Sequence, residues 1–301
     1  MKLFDVIIIG GGPAGLNAAV VLGRCRRKVL VFDHRQQRNR HSHGMHNFLT
    51  RDGISPADFL KISHTELKKY GVKILHTEVK DAKKDSNEIF TVKDVKEKIY
   101  YSKKLILATG LMDRLPAIKG ATKFYGKSLF HCPYCDGWEA SNKKIGVYAK
   151  TKAGIDLALT LTAWSKEITL YTDGEKYIRK KDRELFVKKN ISINYNPISS
   201  FEGSHSQIKY IVFENGEKAG CDALFFSNGY DVQCHLVEKL GCTIDKNKIV
   251  ITNKSQQTNI TGLYVAGDAS KDMHFVVVAA AEGAKAGVYI NKELLKEENQ
   301  L

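Results

Sequence analysis

Apolar residues along this chain fall in short continuous runs that end at glycines, and that pattern sets the first expectation. Phe4 to Ile9 is apolar at every position but Asp5 and stops at Gly10-Gly11-Gly12. A run this short with no polar alternation reads as a strand buried on both faces. Ala14 to Gly23 spaces small and branched residues as a helix packed on a sheet, and Lys28 to Phe32 is a second strand closed by Asp33. Strand, glycine turn, helix, strand and acid is an arrangement that holds a dinucleotide: the pyrophosphate sits on the helix N-terminus and the acid bonds a ribose hydroxyl. Gly10, Gly12, Pro13, Ala14 and Gly15 are therefore candidate cofactor contacts, with Asp33 about 20 residues downstream.

The same layout returns later. Lys144 to Tyr148 predicts a strand, Ala153 to Trp164 a helix, and Glu167 to Tyr171 a second strand. An ungapped overlay sets Gly15 on Gly154 and Phe32 on Tyr171, but Ala149 and Thr151 replace the first two glycines and Thr172 replaces the acid. A Cβ at either loop position obstructs backbone approach to a pyrophosphate, so this copy is a degenerate dinucleotide fold. Leu105 to Gly110 is echoed by Leu224 to Gly229, each a strand running into a turn. Far along the chain, Thr261 to Asp268 predicts another strand ending in Gly267-Asp268, before a small-residue helix from Val276 to Asn291. The prediction is an α/β protein of two Rossmann-like, three-layer domains. Residues 1–115 and 243–301 form the first, and 116–242 form an inserted second.

Within the insert stands Cys132-Pro133-Tyr134-Cys135-Asp136-Gly137. Two thiols separated by two residues can close and reopen a small disulfide, and a bound dinucleotide would give that pair an electron partner. Six cysteines with one close pair do not resemble a secreted disulfide framework. Cys25, Cys221, Cys234 and Cys242 are expected as core thiols. A zinc site would need two further ligands, and no second cysteine pair supplies them, so no metal is expected. His131 adjoins the pair, and His41, His43 and His46 form a second group expected near the cofactor or substrate mouth.

Composition narrows the partners. The 301 residues carry a net charge of +14, which would draw a small acidic redox protein or an anionic thiol. The basic residues are spread along the chain, and the densest run, Arg24 to Arg40, lies inside the first nucleotide unit and reads as a solvated surface. Nucleic acid is not expected. No apolar run approaches the roughly 20 residues of a membrane span, and Met1-Lys2 leads straight into the first strand without a cleavage site, so a cytoplasmic protein is expected.

Taken together, Gly10 to Gly15, the Ala108-Thr109-Gly110 turn, Tyr125-Gly126-Lys127 leading to the Cys132–Cys135 motif, and Gly267-Asp268 resemble the low-molecular-weight thioredoxin-reductase-like flavoproteins over nearly the whole chain. The resemblance implies FAD in the first domain, with Ala108, Thr109, Gly110, Gly267 and Asp268 added to the cofactor contacts, Asp268 on the ribityl chain and Asn47 beside the flavin. It also implies a homodimer, Cys135 as the sulfur that exchanges electrons with flavin, Cys132 as the sulfur that meets substrate, and Asp136 as the group that moves the proton. Two positions depart from the reductases. Thr172-Asp173-Gly174 stands where a His-Arg-Arg run ordinarily clamps the 2′-phosphate of NADPH, with Arg179, Lys180 and Lys181 following, and His274-Phe275 stands where Arg-Gln flanks the flavin. Within the wider family the chain is thereby similar to the dithiol oxidases of gliotoxin and holomycin type, which pass electrons from a small-molecule dithiol to dioxygen. Cys-Pro-Tyr-Cys and Trp164-Ser165 add to that likeness. The alternatives are an NADPH-dependent thioredoxin-reductase-like enzyme, a ferredoxin-driven reductase, and a flavin-bound redox sensor without turnover.

Overall fold

The computed structural model describes residues 2–232, 235–246, 248–270 and 273–299. The chain opens with β1 (Leu3–Ile9), α1 (Pro13–Arg24) and β2 (Val29–Phe32), followed by α2 (Pro56–Lys68), β3 (Lys73–Leu75), β4 (Val79–Lys84), β5 (Phe90–Asp94) and β6 (Ile99–Leu107). After β7 (Leu111–Asp113) come α3 (Ala121–Phe124), β8 (Leu129–Phe130), α4 (Pro133–Asp136), β9 (Ile145–Tyr148), α5 (Ala153–Leu161), β10 (Ile168–Tyr171), α6 (Lys180–Lys188) and β11 (Ile191–Asn194). A meander of β12 (Ile198–Ser204), β13 (Gln207–Phe213) and β14 (Lys218–Gly220) leads to β15 (Ala223–Phe226). β16 (Tyr230–Val232), α7 (His235–Lys239), β17 (Leu263–Val265) and α8 (Val276–Glu297) complete the described elements.

Each half builds on a parallel sheet. In the first, β3, β2, β1 and β6 lie side by side, with β17 on the C-terminal half of β6 and the antiparallel β5–β4 pair on its N-terminal half. From Val6 to Ile9, alternate residues of β1 feed opposite cores, and Phe4 joins the second. Val6 and Ile8 pack under α1 and α8, while Phe4, Ile7 and Ile9 pack against β4, β5 and α7. Full burial of each such aliphatic side chain contributes about 1.5–3 kcal/mol. Small residues bring α8 onto α1: a Cβ on Gly283 would lie 1.9 Å from the Ala14 carbonyl oxygen. In the insert, β11, β10, β9, β15 and β8 are all parallel, with α5 and α6 on one face and the meander on the other. The repeat read from the sequence is structural, since the overlay that pairs Phe32 with Tyr171 also sets Val29–Phe32 on Ile168–Tyr171, β2 on β10.

Some boundaries move. β7 pairs antiparallel with β16, so the chain leaves and re-enters the first unit at one place. Leu236, Val237 and Cys242 lie in the core of the first unit, which puts the return at β16, ahead of the expected 243. The helix expected from Ala153 to Trp164 gives way to turns after Leu161, and the final helix runs on to Glu297. Cys221 and Cys242 are buried as expected, but Cys25 follows the last turn of α1 and is exposed. Cys234 lies outside the described residues.

Candidate functional site

The glycine loop takes its shape from close backbone contacts. Gly10 has φ +121°, and a Cβ there would lie 2.1 Å from the Ala108 carbonyl oxygen; a Cβ on Gly15 would lie 1.9 Å from that of Gly10. Gly12 differs, because nothing stands within 4 Å of the Cβ it lacks. It is the N-cap of α1, with Pro13 in the first turn, so the positive end of the helix opens on a bare backbone. Two adjoining cavities, about 180 and 640 Å³, share Gly10, His34, Gln36, Arg38, Thr109 and Tyr125 in their walls. One reaches Cys135, Asp136 and Phe275; the other reaches Thr77, Val79 and His235.

This trench fits an extended dinucleotide. Asp33, 1% exposed, accepts hydrogen bonds on Oδ1 from Arg35 N–H and Gln37 Nε2, each at 2.8 Å. Its Oδ2 is buried and, among the described residues, has no hydrogen-bond partner, as is also true of the Thr109 hydroxyl. His76 Nδ1 at 3.7 Å and His64 Nε2 at 3.9 Å face that oxygen without bonding it, and a buried acceptor at the end of β2 matches the need of a ribose hydroxyl. Gly10, Gly12, Pro13, Ala14, Ala108, Thr109, Gly110, Gly267 and Asp268 all line the disulfide-side cavity.

At the far end, Cys132 and Cys135 form a disulfide with Cα atoms 5.3 Å apart, set at the N-terminus of α4. Of the two sulfur residues, Cys135 lines the trench. Trp164 edges the Tyr134 ring at 5.8 Å and closes over Gly137, where a Cβ would lie 2.7 Å from the indole. Burial, with the Glu139 charge behind it, pushes the Asp136 carboxyl up to about 7, against a smaller opposing pull from His46. His131 is driven the other way. Burial lowers it to about 4, despite Asp113 with its Oδ2 3.5 Å from Nδ1, so the ring is neutral at ordinary pH. His41 and His46 line the trench near the disulfide, and burial lowers the His41 pKa.

Asn47 follows His46, which lines the trench, but is not itself among the lining residues. It donates through Nδ2 to the Tyr134 carbonyl at 2.8 Å, holding the segment between the cysteines against the first unit. Arg38, read from sequence as one cation of a solvated run, is largely buried. Its guanidinium donates to both oxygens of Asp113, at 2.9 and 2.5 Å, and to Asp268 at 3.0 Å. Tyr125 donates to Asp113 at 2.5 Å. Burial opposes the Arg38 charge, but the two carboxylates more than offset it and its pKa stands above the ordinary value. Arg38, Asp113 and Tyr125 therefore join the first unit, the connecting strand and the insert. A sequence carries no sign of this, because partners 75 positions apart are brought together by topology alone.

The degenerate loop has been filled from within. Ala149 is fully buried, and Tyr177 donates to its carbonyl at 3.0 Å. Lys150 reaches back to Asp173 at 2.9 Å, where Tyr148 also donates at 3.2 Å and the Ile198 N–H at 2.8 Å. Burial raises the Asp173 carboxyl, but these donors outweigh it and hold its pKa low. Arg179 pairs with Asp182 at the start of α6, as expected of a helix start.

Residues 4–283 match the family model for pyridine nucleotide-disulphide oxidoreductases. Thioredoxin reductase tcpT of Claviceps purpurea is 30% identical over 99% of this chain and 96% of its own. A putative thioredoxin reductase, TrxB, from Bacillus anthracis superposes with a TM-score of 0.94 at 30% identity, over 98% of this chain and 99% of that one. HlmI superposes equally well, TM-score 0.94 at 29% identity, over 98% and 93%. No helix among the described residues is long and apolar enough to cross a membrane. With its glycine-lined trench and Cys132–Cys135 disulfide, the chain belongs to the pyridine nucleotide-disulphide oxidoreductases, as a flavin disulfide oxidoreductase of thioredoxin reductase type.

Proposed function

We propose that the protein oxidises a small-molecule dithiol to its disulfide and passes the electrons to dioxygen, without the nicotinamide site of the reductases. The observation that carries this reading is the Lys150–Asp173 pair. The residue beside the missing acid, whose carboxylate could have bonded the adenosine ribose of a nicotinamide dinucleotide, is committed to the loop's own lysine, and Ala149 fills the space of the first glycine.

Oxidation begins when a substrate thiolate attacks Sγ of Cys132. The Cys132–Cys135 bond breaks and Cys135 departs as a thiolate into the trench. The substrate's second sulfur then displaces Cys132, so the substrate leaves as a disulfide and its two electrons stay on the cysteine pair. FAD, which the residues lining the trench would hold beside Cys135, would supply a two-electron acceptor for the cysteine pair, with dioxygen as the final acceptor and hydrogen peroxide as its product. Asp136 takes the proton of the second thiol, which requires its ionised form. The rate of dithiol oxidation is therefore expected to rise with pH through about 7, the value to which burial lifts this carboxyl. Asp136→Asn should lose that limb and roughly 100-fold in rate; a pH–rate profile that keeps its limb in the variant contradicts the role.

Anaerobic titration of the FAD-loaded protein tests the reading as a whole. Dithiothreitol is expected to bleach the flavin band and NADPH to leave it, with one peroxide formed per dithiol on readmission of air. Rapid bleaching by NADPH returns the protein to the reductases. Reduction by dithiol without any reoxidation by oxygen or another acceptor makes it a sensor.

A further inference from the structure

The disulfide-side cavity sets an electrostatic problem for a dinucleotide. Asp33, Asp136 and Asp268 all line it, and among its lining residues Arg38 alone is an arginine or lysine. FAD brings a pyrophosphate that is negatively charged at neutral pH. The net charge of +14 is spread over the chain and does not gather in this wall. Shelter from water sharpens the conflict, because partly buried charges are screened less than exposed ones.

Arg38 stands where the two cavities meet, on a wall it shares with Gly10 of the glycine loop. Its Nε and Nη2 donate to the two oxygens of Asp113, and its Nη1 donates to Asp268 Oδ2 at 3.0 Å. The side chains are 14% exposed for Arg38, 3% for Asp113 and 19% for Asp268, so all three groups are largely shielded. Asp268 lines the disulfide-side cavity and Asp113 the other. One guanidinium therefore serves a carboxylate in each, and without it both would be left sheltered and unpaired. Direct capture of the phosphates suits Arg38 poorly, since two carboxylates outweigh its single charge and the three together remain negative.

We propose that Arg38 is a positioning residue for the cofactor: by pairing with Asp268 and Asp113 it lowers the negative charge that the dinucleotide meets and holds the Asp268 carboxylate in place. No covalent bond changes and no proton or electron moves. The role concerns FAD binding alone, so it stands apart from the choice between oxidase and reductase.

Flavin-fluorescence titration of the flavin-free protein tests it. Arg38→Gln is expected to weaken FAD binding about 100-fold, because it leaves two carboxylates uncompensated. Arg38→Lys keeps the charge while giving up the two-pronged contact with Asp113, and should stay within about tenfold of the parent. Asp268→Asn retains an acceptor oxygen and should cost less than about tenfold on its own. Added to Arg38→Gln, it should restore about tenfold of the lost affinity, since one of the unpaired charges is then gone. Losses that simply add in the double variant overturn the proposal, as does parent-like affinity in Arg38→Gln. Equal weakening by lysine and glutamine also overturns it, and would leave Arg38 as a brace of fixed geometry. Should Arg38→Gln not fold, the comparison runs between Arg38→Gln/Asp113→Asn and the same protein carrying Asp268→Asn as well. Tighter FAD binding in the triple variant is the expected result there; equal or weaker binding overturns the role.

Discussion

Cys135→Ser is expected to lower turnover by at least about three orders of magnitude, while the folded, FAD-binding protein survives. The geometry behind this asks different things of the two sulfurs. Cys135 lines the trench, and Cys132 caps α4 with its sulfur accepting the Cys135 N–H at 3.1 Å. Serine at 135 keeps the local backbone but ends electron exchange, since a hydroxyl neither joins a disulfide nor ionises near neutral pH. The remaining Cys132 should then be trapped. Exposed to a linear disulfide such as bis(2-hydroxyethyl) disulfide, Cys135→Ser should accumulate one mixed disulfide on Cys132, visible as a mass increase. In Cys132→Ser the adduct on Cys135 should form more slowly. Equal rates of adduct formation in the two variants would reverse or erase the assigned roles.

The second large effect separates cofactor binding from folding within one loop. Gly15→Ala places a Cβ 1.9 Å from the Gly10 carbonyl oxygen, a backbone atom that cannot swing away, so the cost is expected to reach at least about 3 kcal/mol. At Gly12→Leu the new Cβ meets nothing within 4 Å. Its cost to the fold should stay near the ~1 kcal/mol of a poorer helix cap, yet its side chain would occupy the opening over the α1 N-terminus. FAD affinity should fall about 100-fold, the roughly 2.8 kcal/mol of one or two charge-assisted hydrogen bonds. Thermal melts of the flavin-free variants and flavin-fluorescence titrations check the two arms. A Gly12→Leu protein that binds FAD as tightly as the parent would remove Gly12 from the site.

What could be read in advance follows from how local each signal is. The β1 run, the glycines and Asp33 announce themselves because strand burial, positive φ and a ribose acceptor each demand particular residues at short spacing. The second, degenerate unit was legible for the same reason, through its match to the first. Arg38 was not, since a cation inside a basic stretch looks solvated until Asp113 and Asp268 are brought to it by the fold. The Asn47 bond to the Tyr134 carbonyl is equally hidden in the sequence, because it depends on how the units face each other. The return boundary was missed because α7 is only five residues long, too short for periodicity to assign Leu236 and Val237 to either core.

The antiparallel pairing of β7 with β16 has a mechanical consequence. Both crossings between the units lie in one ribbon, with Leu111 against Val232, Met112 against Asp231 and Asp113 against Tyr230, and Arg114 bonds Asp231 across it. Two separate tethers would hold the insert at two points; a single hydrogen-bonded ribbon leaves one pivot about which it could turn. Asp113, which holds both Arg38 and Tyr125, is built into that pivot. A quarter-turn of the insert would therefore have to shear those bonds at the pivot itself, so the brake on rotation acts where the lever arm is shortest.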